Sequence, residues 1–157
     1  MFIKEEYLEE LAFLEMEEIK EMLIKFLDNN YYLPYILESR VKSISKLKQK
    51  LQLHISRGIT GENVVDILDI IGFRISVDNE DEVINMVNLM QRFASYLRLK
   101  DQFNNPRSTG FKAFSYYYDC FGFNTEIQIM TKDMREWTNG THKKHDERKY
   151  GLIRNRV

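Results

Sequence analysis

Residues 69–77 read Asp-Ile-Ile-Gly-Phe-Arg-Ile-Ser-Val, and this stretch decides the fold class. Residues 70–77 are almost continuously apolar and rich in β-branched side chains, the pattern of a buried strand. Two ionisable groups interrupt it: Asp69 at the entrance and Arg74 inside. Each is expensive to bury without a partner or a ligand. A carboxylate at a strand entrance is well placed to bind Mg²⁺. An Asp69–Arg74 ion pair, or a helix-terminal Asp beside an exposed Arg, explains the same residues.

Upstream, residues 4–28 space Leu8, Leu11, Leu14, Ile19, Met22, Leu23 and Phe26 mostly three or four apart, which predicts an amphipathic helix closed by Asp28-Asn29-Asn30. After Tyr31-Tyr32-Leu33-Pro34, a second helix is expected over 35–53, with Ile36, Leu37, Val41, Ile44, Leu47 and Leu51 on one side and Arg40, Lys42, Lys46, Lys48 and Lys50 on the other. Residues 58–61 read as a loop and 62–68 as a short helix. Downstream, residues 78–81 cap a helix over 82–97, followed by a strand over 97–103 and a turn-rich stretch over 104–110. Strands over 114–119 and 123–131 form a hairpin around Cys120-Phe121-Gly122, and 134–149 is a last helix rich in Lys, Arg and His. Helices interleaved with strands make this an α/β (α+β) chain, with a mixed sheet of about five strands flanked by helices.

A chain of 157 residues, 43% hydrophobic and 30% charged, fits one soluble domain over 1–157, with an acidic helix over 1–30 and a catalytic core over 35–150. Apolar runs are short and the N-terminus is acidic, so neither export nor a membrane partner is expected. The single cysteine, Cys120, cannot form an internal disulfide, which fits a cytoplasmic location; it reads as a packed strand residue rather than a nucleophile. The net charge of −1 conceals an uneven distribution, because residues 1–30 hold nine acids against three lysines. The remaining basic body suits a polyanionic substrate, and the acidic helix reads as a solvated face or a partner-docking element.

Lys42, Lys46 and Lys50 at steps of four form a cationic row near Arg40 on the expected helix, either for phosphates or as a solvated face. Glu126, Gln128 and Met130 share one face of an otherwise apolar strand, as a site or as a water-facing edge. Gly110 lets backbone approach a ligand or take positive φ. Phe111 beside it offers a ring for base stacking or for the core, with Arg107 and Lys112 flanking for phosphates. His142 and His145 lack a third ligand at suggestive spacing, so zinc is not expected, and phosphate contact is the reading for that helix face.

These motifs, in this order, resemble the synthetase domain of the RelA/SpoT family, the enzymes that make pppGpp and ppGpp. The resemblance spans about residues 40–150. The family's R-x-K basic helix matches Arg40 and Lys42, its D-x-x-G-x-R matches Asp69, Gly72 and Arg74, and its E-I-Q-I-R-T becomes Glu126-Ile127-Gln128-Ile129-Met130-Thr131. Its D-x-x-x-x-P-K-x-N-G-Y resembles Asp101, Pro106, Arg107, Thr109, Gly110 and Phe111. The resemblance implies a nucleotidyltransferase-like synthetase domain that moves pyrophosphate from ATP to the 3′-hydroxyl of GDP or GTP. On that reading Arg40 and Arg74 clamp adenine, Lys42, Lys46 and Lys50 meet the ATP phosphates, and Asp69 and Glu126 hold Mg²⁺, with Glu126 also taking the acceptor proton. Arg107, Gly110, Phe111, Lys112, Gln128 and His142 serve the acceptor.

Departures fall on the acceptor side: Thr109 for Asn, Ser115 for His and Met130 for Arg. They leave tRNA 3′ ends, the acceptor of some toxic relatives, as a second reading, and an inactive nucleotide-binding regulatory module as a third. A homo-oligomer or a neutralising protein partner is compatible with each. Once the synthetase-like segment is assigned, no hydrolase domain is expected.

Overall fold

The computed structural model describes residues 5–42, 70–141 and 150–157. Strands β1 (Tyr35–Val41), β2 (Ile71–Val77), β3 (Arg98–Asp101), β4 (Phe114–Tyr118), β5 (Thr125–Thr131) and β6 (Gly151–Arg156) form one mixed sheet in the order β3-β4-β5-β2-β1-β6. Only β2 and β5 run parallel; every other neighbouring pair is antiparallel. Three helices are described: α1 (Glu5–Asn30), α2 (Glu80–Met90) and α3 (Lys132–Thr141). The fold is therefore mixed α+β, with six strands rather than about five. The additional one, β6, lies in a basic tail whose short apolar pair, Leu152-Ile153, gives little strand signal.

Side-chain alternation divides the sheet into two unlike faces. On one, Leu37, Phe73, Ile75, Ile127, Ile129 and Tyr116 are fully buried against α1 and α2. The stripe that α1 turns to this face is Ala12, Met16, Ile19, Leu23 and Leu27, at steps of four, three, four and four. Leu14 and Met22, expected on that stripe, are exposed, because they sit about 100° or more away around the helix from its centre line. Tyr116 donates from its buried hydroxyl to the Val87 carbonyl at 2.7 Å, and Tyr31, just past the end of α1, donates to Glu82 at 2.8 Å, so two hydroxyls tie β4 and the segment after α1 to α2. Burial pushes the Tyr116 hydroxyl up to about 12.

Helix α2 is capped by Asn79, whose side chain accepts from the Glu82 amide, and it buries Val83, Met86, Val87 and Met90. It ends at Met90 rather than at 97, where the Arg92 and Phe93 amides donate to the Leu89 and Met90 carbonyls three residues back and tighten the chain into a turn. Two acids of α1 dock rather than remain solvated: Glu15 accepts from the Gly122 amide at 2.9 Å and Asp28 pairs with Arg154 at 2.6 Å. No described helix is long and apolar enough to cross a membrane.

Two expectations are corrected. Residues 35–41 are strand, not the start of a helix: Tyr35, Leu37 and Val41 alternate onto the apolar face, and pairing with β2 outweighs their helix-compatible spacing. Cys120 is exposed in the bend between β4 and β5, its thiol donating to the Ser95 carbonyl at 3.3 Å, instead of packing within a strand. Residues 44–53 of the expected second helix, with the loop at 58–61 and the short helix at 62–68, lie outside the described residues. So does the expected helix beyond Thr141.

Candidate active site

The second face of the sheet is polar where β1, β2 and β5 lie side by side. Register places Glu38 opposite Arg74, and Arg74 opposite Gln128, on one row across the three strands. The adjacent row runs Arg40, Gly72, Glu126. Directly paired residues point to the same side, so five polar side chains and one glycine converge there. Helix α3 covers them, presenting Arg135 and Asn139 one turn apart toward the strands.

A chain of contacts joins these groups. Gln128 donates through Nε2 to Glu126 at 3.2 Å, and its Oε1 accepts from Arg74 Nε at 3.3 Å. Arg74 Nη1 donates to Asn139 at 3.4 Å. The Tyr150 ring meets two guanidiniums, with its centroid 4.1 Å from Arg74 Cζ and 4.6 Å from Arg40 Cζ, within cation–π range. Glu126 is 6% exposed and Arg74 likewise 6%. Burial pulls the Arg74 guanidinium below its ordinary value; Tyr150 and Glu38 counter this, and Arg40 and Arg135 add to it.

Gly72 makes the crossing possible. A Cβ built there would lie 3.0 Å from the Tyr150 hydroxyl and 3.3 Å from Arg40 Cγ, so any side chain would push both away. The glycine of D-x-x-G-x-R, paired with Arg40 on one side and Glu126 on the other, thus leaves the space over β2 that the Arg40 and Tyr150 side chains use.

The acceptor-side residues lie in two further places. In the loop before β4, the Gly110 amide donates to the Arg107 carbonyl at 2.8 Å, closing a turn in which Gly110 takes φ 95°, a conformation costly for any other residue. Phe111 is 7% exposed and packs with Ala113, Met130 and Met134, while the Arg107 guanidinium sits 5.1 Å from its centroid. Gly110 and Lys112 instead line a cleft of about 590 Å³ at the carboxyl ends of β2 and β5, with Asp78, Glu80, Phe103 and Trp137. Carboxyl ends of parallel strands are where open sheets bind ligands. Lys112 is paired with Glu80 at 2.5 Å.

The structure therefore gathers Arg40, Arg74, Glu126 and Gln128 into one cluster. Lys42 lies just past β1, its amide donating to the Ile70 carbonyl at 2.7 Å. Asp69, Lys46, Lys50 and His142 lie outside the described residues. Among the described residues no three His, Cys, Asp or Glu side chains form a metal-binding group. Glu126 supplies one buried carboxylate of the hard-oxygen type that Mg²⁺ prefers.

Sequence reading missed Glu38, Arg135, Asn139 and Tyr150. The available signals were the alternation Ile36, Glu38, Arg40 on a strand, and the four-residue step from Arg135 to Asn139 on a helix.

A Mycoplasma pneumoniae protein described as a probable guanosine-3′,5′-bis(diphosphate) 3′-pyrophosphohydrolase is 28% identical over 144 residues, 88% of this chain. The chain spans only 19% of that curated relative's length. A GTP pyrophosphokinase family protein from Streptococcus pneumoniae superposes with a TM-score of 0.70 at 23% identity, covering 91% of this chain and 77% of that one. Small alarmone synthetase 1 from Bacillus subtilis, bound to its product pppGpp, gives 0.64 at 19% identity, covering 84% and 75%. These likenesses establish the fold. The family described as "Region found in RelA / SpoT proteins" matches residues 39–150, from the strand that carries Arg40 to the tyrosine that meets it. The chain belongs to the RelA/SpoT family.

Proposed function

We propose that this chain is a pyrophosphokinase that moves the β,γ-pyrophosphate of ATP to the 3′-hydroxyl of GDP or GTP, forming (p)ppGpp. The carrying observation is the polar row itself: a buried carboxylate, Glu126, linked through Gln128 to Arg74, whose guanidinium shares one aromatic ring with Arg40. Family membership and the product-bound state of the Bacillus subtilis relative support the reading.

On this reading Arg40 and Arg74 offer flat cationic surfaces to the adenine, and Lys42, Lys46 and Lys50 neutralise the triphosphate. Glu126 accepts the proton of the acceptor 3′-hydroxyl as its oxygen attacks the β-phosphorus. The bond from that phosphorus to the bridging oxygen breaks, AMP leaves with the electron pair, and pyrophosphate is carried to the acceptor. Gln128 fixes the Glu126 carboxylate by donating to one of its oxygens. Asp69 and Glu126 would hold Mg²⁺, which when bound supplies positive charge to the phosphates. Arg107, Gly110, Phe111, Lys112 and His142 complete the acceptor side.

A second acceptor, the 3′ end of tRNA, is favoured by Thr109, Ser115 and Met130 and by the packing of Phe111 among Ala113, Met130 and Met134. Labelled ATP offered in turn with GDP, GTP and deacylated tRNA separates the two. Label is expected on the guanosine nucleotide, and label on tRNA alone would reverse the choice of acceptor. No transfer to any acceptor would leave a nucleotide-binding module.

A further inference from the structure

One charged pair on the polar face lies outside the machinery just assigned. Glu38 is 3% exposed, and both its oxygens accept from Arg135 on α3, from Nε at 2.7 Å and Nη2 at 3.2 Å. This is the two-bond fork that fixes a guanidinium in direction as well as distance. Glu38 also stands directly opposite Arg74 across the β1–β2 ladder. One turn beyond Arg135, Asn139 reaches Arg74 itself. Helix α3 therefore reaches the donor-side arginine directly through Asn139, and its Arg135 holds the carboxylate that stands opposite that arginine across the ladder.

Among the described residues, Arg40, Arg74 and Arg135 crowd this face with Glu38 and Glu126 as the buried acids, while the exposed Glu136 also accepts from Arg135 Nη1 at 2.6 Å. Three cations so close repel one another in a poorly hydrated place. Glu38 lies between two of them, where its charge offsets both. Resting on the reading of Arg74 as an ATP contact, we propose that Glu38 and Arg135 are positioning residues: the pair pins α3 to β1 and holds the Arg74 guanidinium in its ATP-binding orientation without touching nucleotide.

The test compares Glu38→Gln, Arg135→Met and the double variant with the wild type. Each single change is expected to raise KM for ATP about tenfold, the size of effect seen when a supporting partner of a binding group is lost, with kcat and the acceptor KM within about threefold. A purely structural role would lower kcat through loss of folded enzyme and leave KM for ATP unmoved. The double variant removes both charges of the pair together, so neither the buried Glu38 nor the half-buried Arg135 is left without its partner. It should be no worse than the weaker single variant, and additive losses would overturn the pairing.

A second readout needs no turnover. Trp137, the one tryptophan of the sequence, lies on α3 between Arg135 and Asn139. Acrylamide quenching of Trp137 should rise in each variant as α3 loosens. Unchanged quenching together with unchanged KM for ATP sinks the proposal. Wild-type protein that transfers no label, yet shows the quenching rise and weakened binding of a fluorescent ATP analogue in the variants, sinks the pyrophosphokinase reading and leaves the pin standing.

Discussion

The two faces of the central sheet are built from alternate residues of the same strands, yet they stabilise opposite things. Under α1 and α2, Phe73, Ile75, Ile127 and Ile129 are fully buried among apolar neighbours, where area removed from water favours folding and little else. Under α3, Glu38, Arg74 and Glu126 are buried nearly as deeply and cost free energy unless each keeps its partner. A sheet that placed charges on both faces would have no core, and one with apolar residues on both would have no site. Alternation lets β2 serve both, with Phe73 and Arg74 adjacent in sequence and opposed in space.

That contrast can be broken by experiment. The largest expected effect is on the apolar face: Phe73→Ala should cost about 3–5 kcal/mol of stability, read by denaturant unfolding, with KM for ATP within about twofold of wild type. An equal loss in nucleotide affinity would show that the faces are not separable. On the polar face the pattern reverses. Glu126→Gln should lower the transfer rate at least about a hundredfold, roughly 2.7 kcal/mol in the barrier, while ATP-analogue binding and the thermal midpoint stay near wild type.

Gly72 is the place where the faces trade most directly, since its missing side chain is what admits Arg40 and Tyr150. Gly72→Ala should raise KM for ATP about tenfold, or roughly 1.4 kcal/mol, because the methyl group meets the side chains of Tyr150 and Arg40 rather than backbone and must displace them. Steady-state kinetics with ATP varied would show it. A variant with wild-type KM would mean that neither Arg40 nor Tyr150 needs its present place to bind the donor.

Much of this contrast is legible in the sequence. The run over 70–77, the hairpin over 114–131 and the start of the helix that Asn79 caps, though not its end at Met90, follow from apolar periodicity and turn residues, because local and tertiary preferences agree there. At 35–41 they do not: Tyr-Ile-Leu-Glu-Ser-Arg-Val satisfies a helical stripe and a strand alternation equally, and only the partner β2 decides. The site shows the same limit. Glu126 and Arg74 stood out as charges inside apolar strands, a local anomaly. Glu38, Arg135, Asn139 and Tyr150 are unremarkable in sequence and gain their role only from register and from α3 folding back, which are properties of distant pairs.

The smallest expected effect concerns Asp101, a polar residue at the rim of the apolar face. It is paired with Phe114 across the β3–β4 ladder, and its carboxylate turns away to accept from the Phe103 and Asn104 amides at 3.0 and 2.8 Å and from the Asn104 side chain at 2.9 Å. These bonds shape the start of the loop that leads to Arg107 and Gly110, so a residue on one face steadies the acceptor side of the other. Burial alone pushes its carboxyl up, but the hydrogen bonds from Asn104 and Phe103 outweigh that and hold it below the usual carboxylate range. A carboxyl lowered by folding stabilises the folded chain fully above its unfolded value, near pH 4, and stops doing so once the pH falls below the folded value. The gap in stability between wild type and Asp101→Ala should therefore be about 1 kcal/mol or less at pH 7, given partial exposure, and should close as the pH is lowered through the acid range. Denaturant melts of both proteins from about pH 6 downward measure it. A gap that widens toward acid would mean that the neutral carboxyl, not the carboxylate, is the form that holds the loop.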